Sequence, residues 1–288
     1  MTEGIQDWLL RGWNLGTRFV PAWPTNAPRG LSGSRLGRQP GESLEFVDFR
    51  DYEPGDDLRK LDWNAYARSD ALVVRVFREE VTPHLDLIVD ASASMAVREG
   101  KLRATLLAAG LLAGAAANGN FSTRAFQIRD TCREIEGSSS QPQTWNLHPL
   151  DGREDAGEAL IQAPPRLQPR GIRVFISDLL FAGDPEMVTA VLAEQASAAA
   201  VVQLLDEPDR QPPEYGTVRL VDSETGRTHE LFVDATVRRR YCSRLENHTR
   251  QWEAACARRG LRFAPLDAES LDAGNVDSLL ERGVLRFP

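Results

Sequence analysis

Lysine is nearly missing from this 288-residue sequence: among 34 basic residues only Lys60 and Lys101 carry an ammonium. Cysteine is scarce too. Cys132, Cys242 and Cys256 stand far apart and none makes a C-x-x-C pair. That pattern excludes a zinc knuckle or a dithiol redox motif. An odd count in a chain of this length suits a reducing compartment, and the thiols read as buried or inert. Long apolar runs are absent as well. The most apolar segment, ATLLAAGLLAGAAA at 104–117, falls short of the roughly 20 residues a membrane span needs and reads as a buried helix. The start, MTEGIQDWLL, has acids early and no long apolar run, so no signal peptide is expected and the cytoplasm is the expected compartment. No G-x-G-x-x-G follows the first apolar strand and no G-x-S-x-G occurs, which argues against dinucleotide binding and a serine-hydrolase elbow. A formal charge of −8 argues against a general nucleic-acid binder.

What is present divides into three parts. Residues 1–41 read as a flexible basic arm. From Trp8 to Gly41 there are five arginines (Arg11, Arg18, Arg29, Arg35, Arg38) and no acid, and the second half is rich in Pro, Gly and Ser. The segment is either a solvated extension or an arm that docks on an acidic partner. QDWLLRGWNL within it has the pattern of a short amphipathic helix. Residues 42–83 read as a β-rich subdomain. SLEFVDFRDY alternates with a slip before Phe49, EPGDD makes a turn, Asp56 or Asp57 caps a short helix, and ALVVRVFREEV is a strand. Arg50, Arg59 and Arg68 are placed to pair with Asp56, Asp57 and Asp62 around Trp63.

Residues 84–288 alternate apolar strands with helices. HLDLIVD, FSTRAFQI, GIRVFIS, AAVVQLLD and LRFAPL read as strands. KLRATLLAAGLLAGAAANG, REDAGEALIQA, PEMVTAVLAEQASA and a long segment from 235 to 259 read as helices. The Ala and Gly surface of the first helix suits close approach to a sheet. In the long helix Val237, Tyr241, Leu245, Trp252 and Cys256 form one apolar stripe, read as core. A β-hairpin is expected near 217–233. Near-continuous apolar strands between helices predict an α/β fold with a mostly parallel sheet and helices on both faces.

One short stretch carries chemistry. In LIVDASASMA an apolar strand stops at Asp90, and Ser92 and Ser94 follow at alternate positions. Asp178 stops a second apolar strand in the same way, just after Ser177. Sites in open α/β sheets form outside the carboxyl ends of strands where the strand order reverses. If these two strands are neighbours, both carboxylates meet there. An oxygen-rich set of this kind suits a hard cation such as Mg²⁺. The alternative is that Asp90, Ser92 and Ser94 only cap the following loop. A metal-dependent phosphohydrolase using Asp90 as nucleophile is a weaker option. Its second acid is replaced by Ser92, and neither lysine is well placed for phosphate.

D-A-S-A-S resembles the D-x-S-x-S metal-site motif of von Willebrand factor A-like domains. EFVDFRDYEPGDDLRKLDWNAYARSDALVVRVFREE, just upstream, resembles the hallmark of the family called domain of unknown function 58. The matching residues are Phe46, Arg50, Tyr52, Pro54, Gly55, Asp56, Asp57, Arg59, Asp62, Trp63, Ala67, Arg68 and Glu80. The resemblance implies a von Willebrand A-like, Rossmann-type sheet with a β-rich N-terminal addition and no established enzymatic activity. It implies a metal site at Asp90, Ser92, Ser94 and Asp178. It also implies a MoxR-type AAA+ ATPase as partner, because family members are typically encoded beside one. In one respect the chain departs from the pattern: the loop near LDGREDAGEAL holds no threonine to complete the site. Asp151 and Asp155 are the acids available there instead.

Overall fold

The computed structural model describes residues 2–23, 44–79, 83–211 and 215–288. They fall into two compact units, residues 25–82 and the remainder of the chain.

The larger unit begins with helix α1 (Thr2–Gly16) and the two-residue strand β1 (Val20–Pro21). These residues are core, not an extension. Leu9, Phe19 and Trp23 are buried, and β1 pairs antiparallel with Leu285 and Arg286 near the other end of the chain. Arg11, one of the five arginines of the expected arm, pairs with Asp272 of the same chain at 3.1 Å. The basic arm expected over 1–41 is therefore corrected for residues 2–23, while residues 24–41 lie outside the described ones.

The smaller unit is a two-stranded antiparallel ribbon with a helix in its connection. Strand β2 (Leu44–Asp51) pairs with β3 (Val73–Glu79), and the register shifts between Phe46 and Asp48, where the sequence shows its slip. Asp57 caps a short 3₁₀ turn, and Asp62 caps α2 (Trp63–Ser69) by accepting from the Asn64 and Ala65 N–H groups. Arg50 pairs with Asp56, whose carboxyl is held low by that guanidinium and by the Glu53 N–H. The partner of Asp62 is Arg75 at 3.0 Å. Arg68 instead donates to the Asn64 carbonyl.

The rest of the larger unit is a three-layer sandwich. In chain order it holds β4 (His84–Asp90), α3 (Glu99–Asn118), β5 (Ser122–Ile128), β6 (Cys132–Glu134), α4 (Ala156–Gln162), β7 (Ile172–Ser177), α5 (Pro185–Ala193), β8 (Ala198–Leu205), α6 (Glu207–Arg210), β9 (Gly216–Val221), β10 (Thr228–Val233), α7 (Ala235–Arg258) and β11 (Arg262–Asp267). Helices α8 (Ala268–Asp272) and α9 (Asp277–Glu281) and strand β12 (Leu285–Arg286) follow. The sheet runs β11-β8-β7-β4-β5-β6, parallel except for β6.

Alternate residues of each strand serve the two faces. Leu85, Leu87, Val89, Val174 and Ile176 pack under α3, while Ile88, Phe126, Phe175 and Val201 meet Leu160 of α4, Val188 of α5 and Trp252 of α7. Only the C-terminal half of the α7 stripe is fully buried, at Trp252 and Cys256; Val237, Tyr241 and Leu245 are half-buried. Gly110 and Gly114 of α3 approach a helix, not the sheet. A Cβ on Gly110 would lie 2.1 Å from the Leu9 carbonyl oxygen, and one on Gly12 would lie 2.2 Å from that of Leu107. Strands β9 and β10 form the expected hairpin, with Gly226 at φ +69° in its turn.

Candidate functional site

Strands β4 and β7 are hydrogen-bonded neighbours, and the strand order reverses at this pair. Their carboxyl ends bring Asp90 and Asp178 to one rim, both buried. Ser177 joins the strands: its Oγ donates to Asp90 Oδ2 at 2.6 Å and accepts the Leu179 N–H at 2.9 Å. Asp90 Oδ1 accepts the Ser92 N–H at 2.9 Å. Ser92 and Ser94 bond to each other through their hydroxyls at 3.0 Å. All four residues singled out from the sequence thus lie at the carboxyl ends of two adjacent strands or on the loops that leave them.

The loop after β7 is held in an unusual conformation. Leu179 sits at φ +61°, a region a leucine occupies at a cost. Its carbonyl accepts from His248 Nε2 at 2.6 Å, and the next N–H, of Leu180, is taken by Asp178 Oδ1 at 2.9 Å. On the β4 side the rim is closed by backbone. Ala93 donates to the Gly152 carbonyl and Gly152 to that of Ala91, and a Cβ on Gly152 would meet Arg129 Cα at 2.8 Å. The hairpin turn between β9 and β10 also reaches the rim: Glu224 Oε1 accepts the Ser94 N–H at 3.0 Å.

The centre of the rim is a buried cation that sequence reasoning judged badly placed. Lys101, in the first turn of α3, is 1% exposed, and its Nζ lies 2.7 Å from both Asp178 Oδ2 and Asp209 Oδ2. Arg98 donates to both oxygens of Asp206 and, at 2.6 Å, to Asp209. Gln203 of β8 donates to the Asp178 carbonyl at 3.3 Å, and Tyr241 donates to that of Asp209 at 2.5 Å. Four aspartates thus share the rim with Lys101 and Arg98.

The charge states follow from burial and partners. Asp90 is pushed up to about 6, first by loss of solvent and then by the charge of Asp178, against the pull of its Ser177 and Ser92 hydrogen bonds. Burial lowers Lys101, but the two carboxylates on it more than offset this and hold it above its ordinary value. Burial raises Asp209, with the like charge of Asp206 adding to it, against the pull of Lys101 and Arg98. Burial also works against Asp206, but the Arg98 fork keeps it low.

These donors do not fit a divalent ion as they stand. Each carboxylate oxygen of Asp90 and Asp178 already holds a hydrogen, and the position facing Asp178 is filled by an ammonium. The acids offered in place of the missing threonine face elsewhere. Asp151 pairs with Arg129, and Asp155 caps α4 and accepts the Ala182 N–H at 3.0 Å. Among the described residues no group of three or more His, Cys, Asp or Glu side chains is arranged to hold a metal. Sequence reasoning missed Lys101, Arg98, Asp206 and Asp209. Asp206 carried a readable signal, since it ends the apolar strand AVVQLL as Asp90 and Asp178 end theirs.

Comparison with known proteins adds a family. The family described as Protein of unknown function DUF58 matches residues 48–251. Uncharacterized proteins of Mycobacterium bovis and Mycobacterium tuberculosis are 30% identical over 225 residues, covering 72% of this chain and 69% of theirs. Among solved structures, the conserved hypothetical protein BatB from Bacteroides thetaiotaomicron aligns with 69% of this chain and 98% of its own at 10% identity and a TM-score of 0.30. An aerotolerance-related membrane protein from Bacteroides fragilis aligns with 69% and 99% at 12% identity and a TM-score of 0.34. No helix among the described residues is long and apolar enough to cross a membrane.

Proposed function

The chain belongs to the DUF58 family, and from that premise and the sealed rim we propose that it is a non-enzymatic protein-interaction module, an adaptor or chaperone partner of a MoxR-type AAA+ ATPase in the cytoplasm. The observation that carries this reading is the saturation of the rim. Both oxygens of Asp90 accept hydrogen bonds, and the residue is fully buried. A carboxylate so enclosed is closed to solvent and engaged at both oxygens, which argues against a phosphohydrolase built on Asp90. Ser92, where such chemistry needs a second acid, is bonded to Ser94.

Two apolar side chains stand exposed on the loops of this polar centre. Val97, on the loop leaving β4, and Leu180, on the loop leaving β7, are 53% and 42% exposed. Apolar side chains around preorganised backbone are what a protein partner uses. The choice of ATPase rests on the family. The strand-end D-x-S-x-S placement supports a von Willebrand A-like module as its carrier.

The test is binding of the purified full chain to a purified MoxR-type AAA+ ATPase, measured by calorimetry. Binding should weaken by about tenfold or more when Val97 and Leu180 are both changed to Glu, with little loss of melting temperature. Absence of binding by the wild type would sink the reading. Phosphomonoester turnover lost in Asp90→Asn would replace it with the hydrolase.

A further inference from the structure

An oxygen-lined rim at the carboxyl end of a parallel sheet calls for positive charge, and this chain carries its own. Lys101 stands in a helix that is otherwise almost entirely Ala, Leu and Gly beyond its first turn. Its side chain is as buried as the leucines around it. Lysine tolerates such burial only when its charge is matched, and here it is matched twice, by Asp178 from β7 and Asp209 from α6, each at 2.7 Å. Arg98, three residues earlier, clamps Asp206 and Asp209, so the second carboxylate is held by both cations.

We propose that the Lys101 ammonium is the resident cation of this rim, so that the site is complete without a divalent ion and becomes a divalent-ion site only when that side chain is removed. The ammonium bridges the strand-end carboxylate of β7 to the acid that follows β8, the kind of link a bound ion would supply. A tethered cation cannot be withdrawn by a chelator, and it leaves no open coordination position for a partner's carboxylate. Partner binding at this rim then owes nothing to Mg²⁺. Cutting Lys101 back to Ala leaves Asp178 Oδ2 without its partner and Asp209 Oδ2 with only the long Asp206 N–H contact at 3.4 Å, around the space vacated and with the Asp90 charge felt nearby. Such carboxylates attract a hard cation.

The experiment needs no partner, so its outcome is separate from that of the ATPase reading. Thermal unfolding and calorimetric titration of the full-length protein are run with Mg²⁺, Mn²⁺ or EDTA. The wild type should show no saturable binding and one melting temperature in all three. Lys101→Ala should gain a rise of about 5 °C at a hundredfold excess of Mn²⁺ over its Kd, reversed by EDTA and absent when Asp178→Asn is added. Saturable Mn²⁺ binding by the wild type that Asp178→Asn abolishes overturns the proposal. So does a folded Lys101→Ala protein indifferent to the ion. Should Lys101→Ala not fold, the wild-type titration decides alone: a flat response upholds the proposal and saturable binding rejects it.

Discussion

Lys101 Nζ lies 2.7 Å from Asp178 Oδ2, with both side chains shut off from solvent. Removing one member of such a pair leaves an uncompensated charge in the interior, which costs more than the pair itself contributes. Asp178→Ala should lower stability by about 2–4 kcal/mol in denaturant unfolding, less than a fully orphaned charge because Asp209 remains. Adding Lys101→Met should recover part of that loss. The two effects should therefore be non-additive by more than about 1 kcal/mol; strict additivity would show that the contact contributes nothing.

The Asp90 carboxyl gives the fold a pH signature. Its pKa in the folded protein is about 6, raised by burial and by Asp178, against about 3.9 for a free carboxyl. A raised value means the folded state binds the proton more tightly. The stabilisation is therefore full below about pH 4 and is lost as pH rises through about 6. Asp90→Asn lacks this titration. Relative to wild type, the variant should gain roughly 1–3 kcal/mol between pH 4 and pH 7.5 and then level off. A stability difference that stays constant over that range would show that Asp90 is ionised throughout.

At the opposite end of β4, Asp86 behaves in the reverse sense. It is fully buried, and burial alone would raise it. His84 at 2.9 Å, the Gln168 N–H at 2.6 Å and Arg124 at 3.0 Å pull it below the ordinary range. A depressed value contributes stability above the unfolded pKa and loses it as pH falls through the folded one. Asp86→Asn should cost about 2–4 kcal/mol at neutral pH, with the gap to wild type closing toward pH 3. Urea midpoints measured across that range decide the point, and a gap that widens in acid would contradict the assignment.

The site was legible where a residue's place follows from its own strand. A buried strand shows no alternation, so its first polar residue marks the sheet edge, and this located Asp90 and Asp178. That the two strands are neighbours was open in the sequence, because pairing is a tertiary fact. Lys101 was hidden for a related reason. A lysine in the first turn of a helix is usually solvated, and whether it points inward depends on how α3 is rotated over the sheet. Asp62 shows the same limit: its partner Arg75 comes from β3 and is not among Arg50, Arg59 and Arg68, the arginines the sequence offered. The stripe on α7 was read at full length, yet its N-terminal half is only half-buried.

The N-terminal helix offers the sharpest check on the core. Its amphipathic pattern was readable, but its partner was not, because the close crossing depends on Gly12 and Gly16 of α1 lying against the Leu107 and Leu111 backbone of α3, and on Gly110 and Gly114 of α3 lying against the Leu9 and Trp13 backbone of α1. A Cβ on Gly114 would lie 2.3 Å from the Trp13 carbonyl oxygen, which is backbone and cannot rotate away. Gly114→Ala should therefore force the helices apart and cost about 1–3 kcal/mol or more. Gly100, in the first turn of the same helix, has nothing within 4 Å of an added Cβ. Gly100→Ala should be neutral or stabilising by up to about 1 kcal/mol, from helix propensity alone. Deleting residues 1–23 should lower the melting temperature at least as much as Gly114→Ala, since it strips Leu9, Phe19 and Trp23 from the core. Equal melting temperatures for the truncated and full chains would return that segment to the role of a dispensable arm.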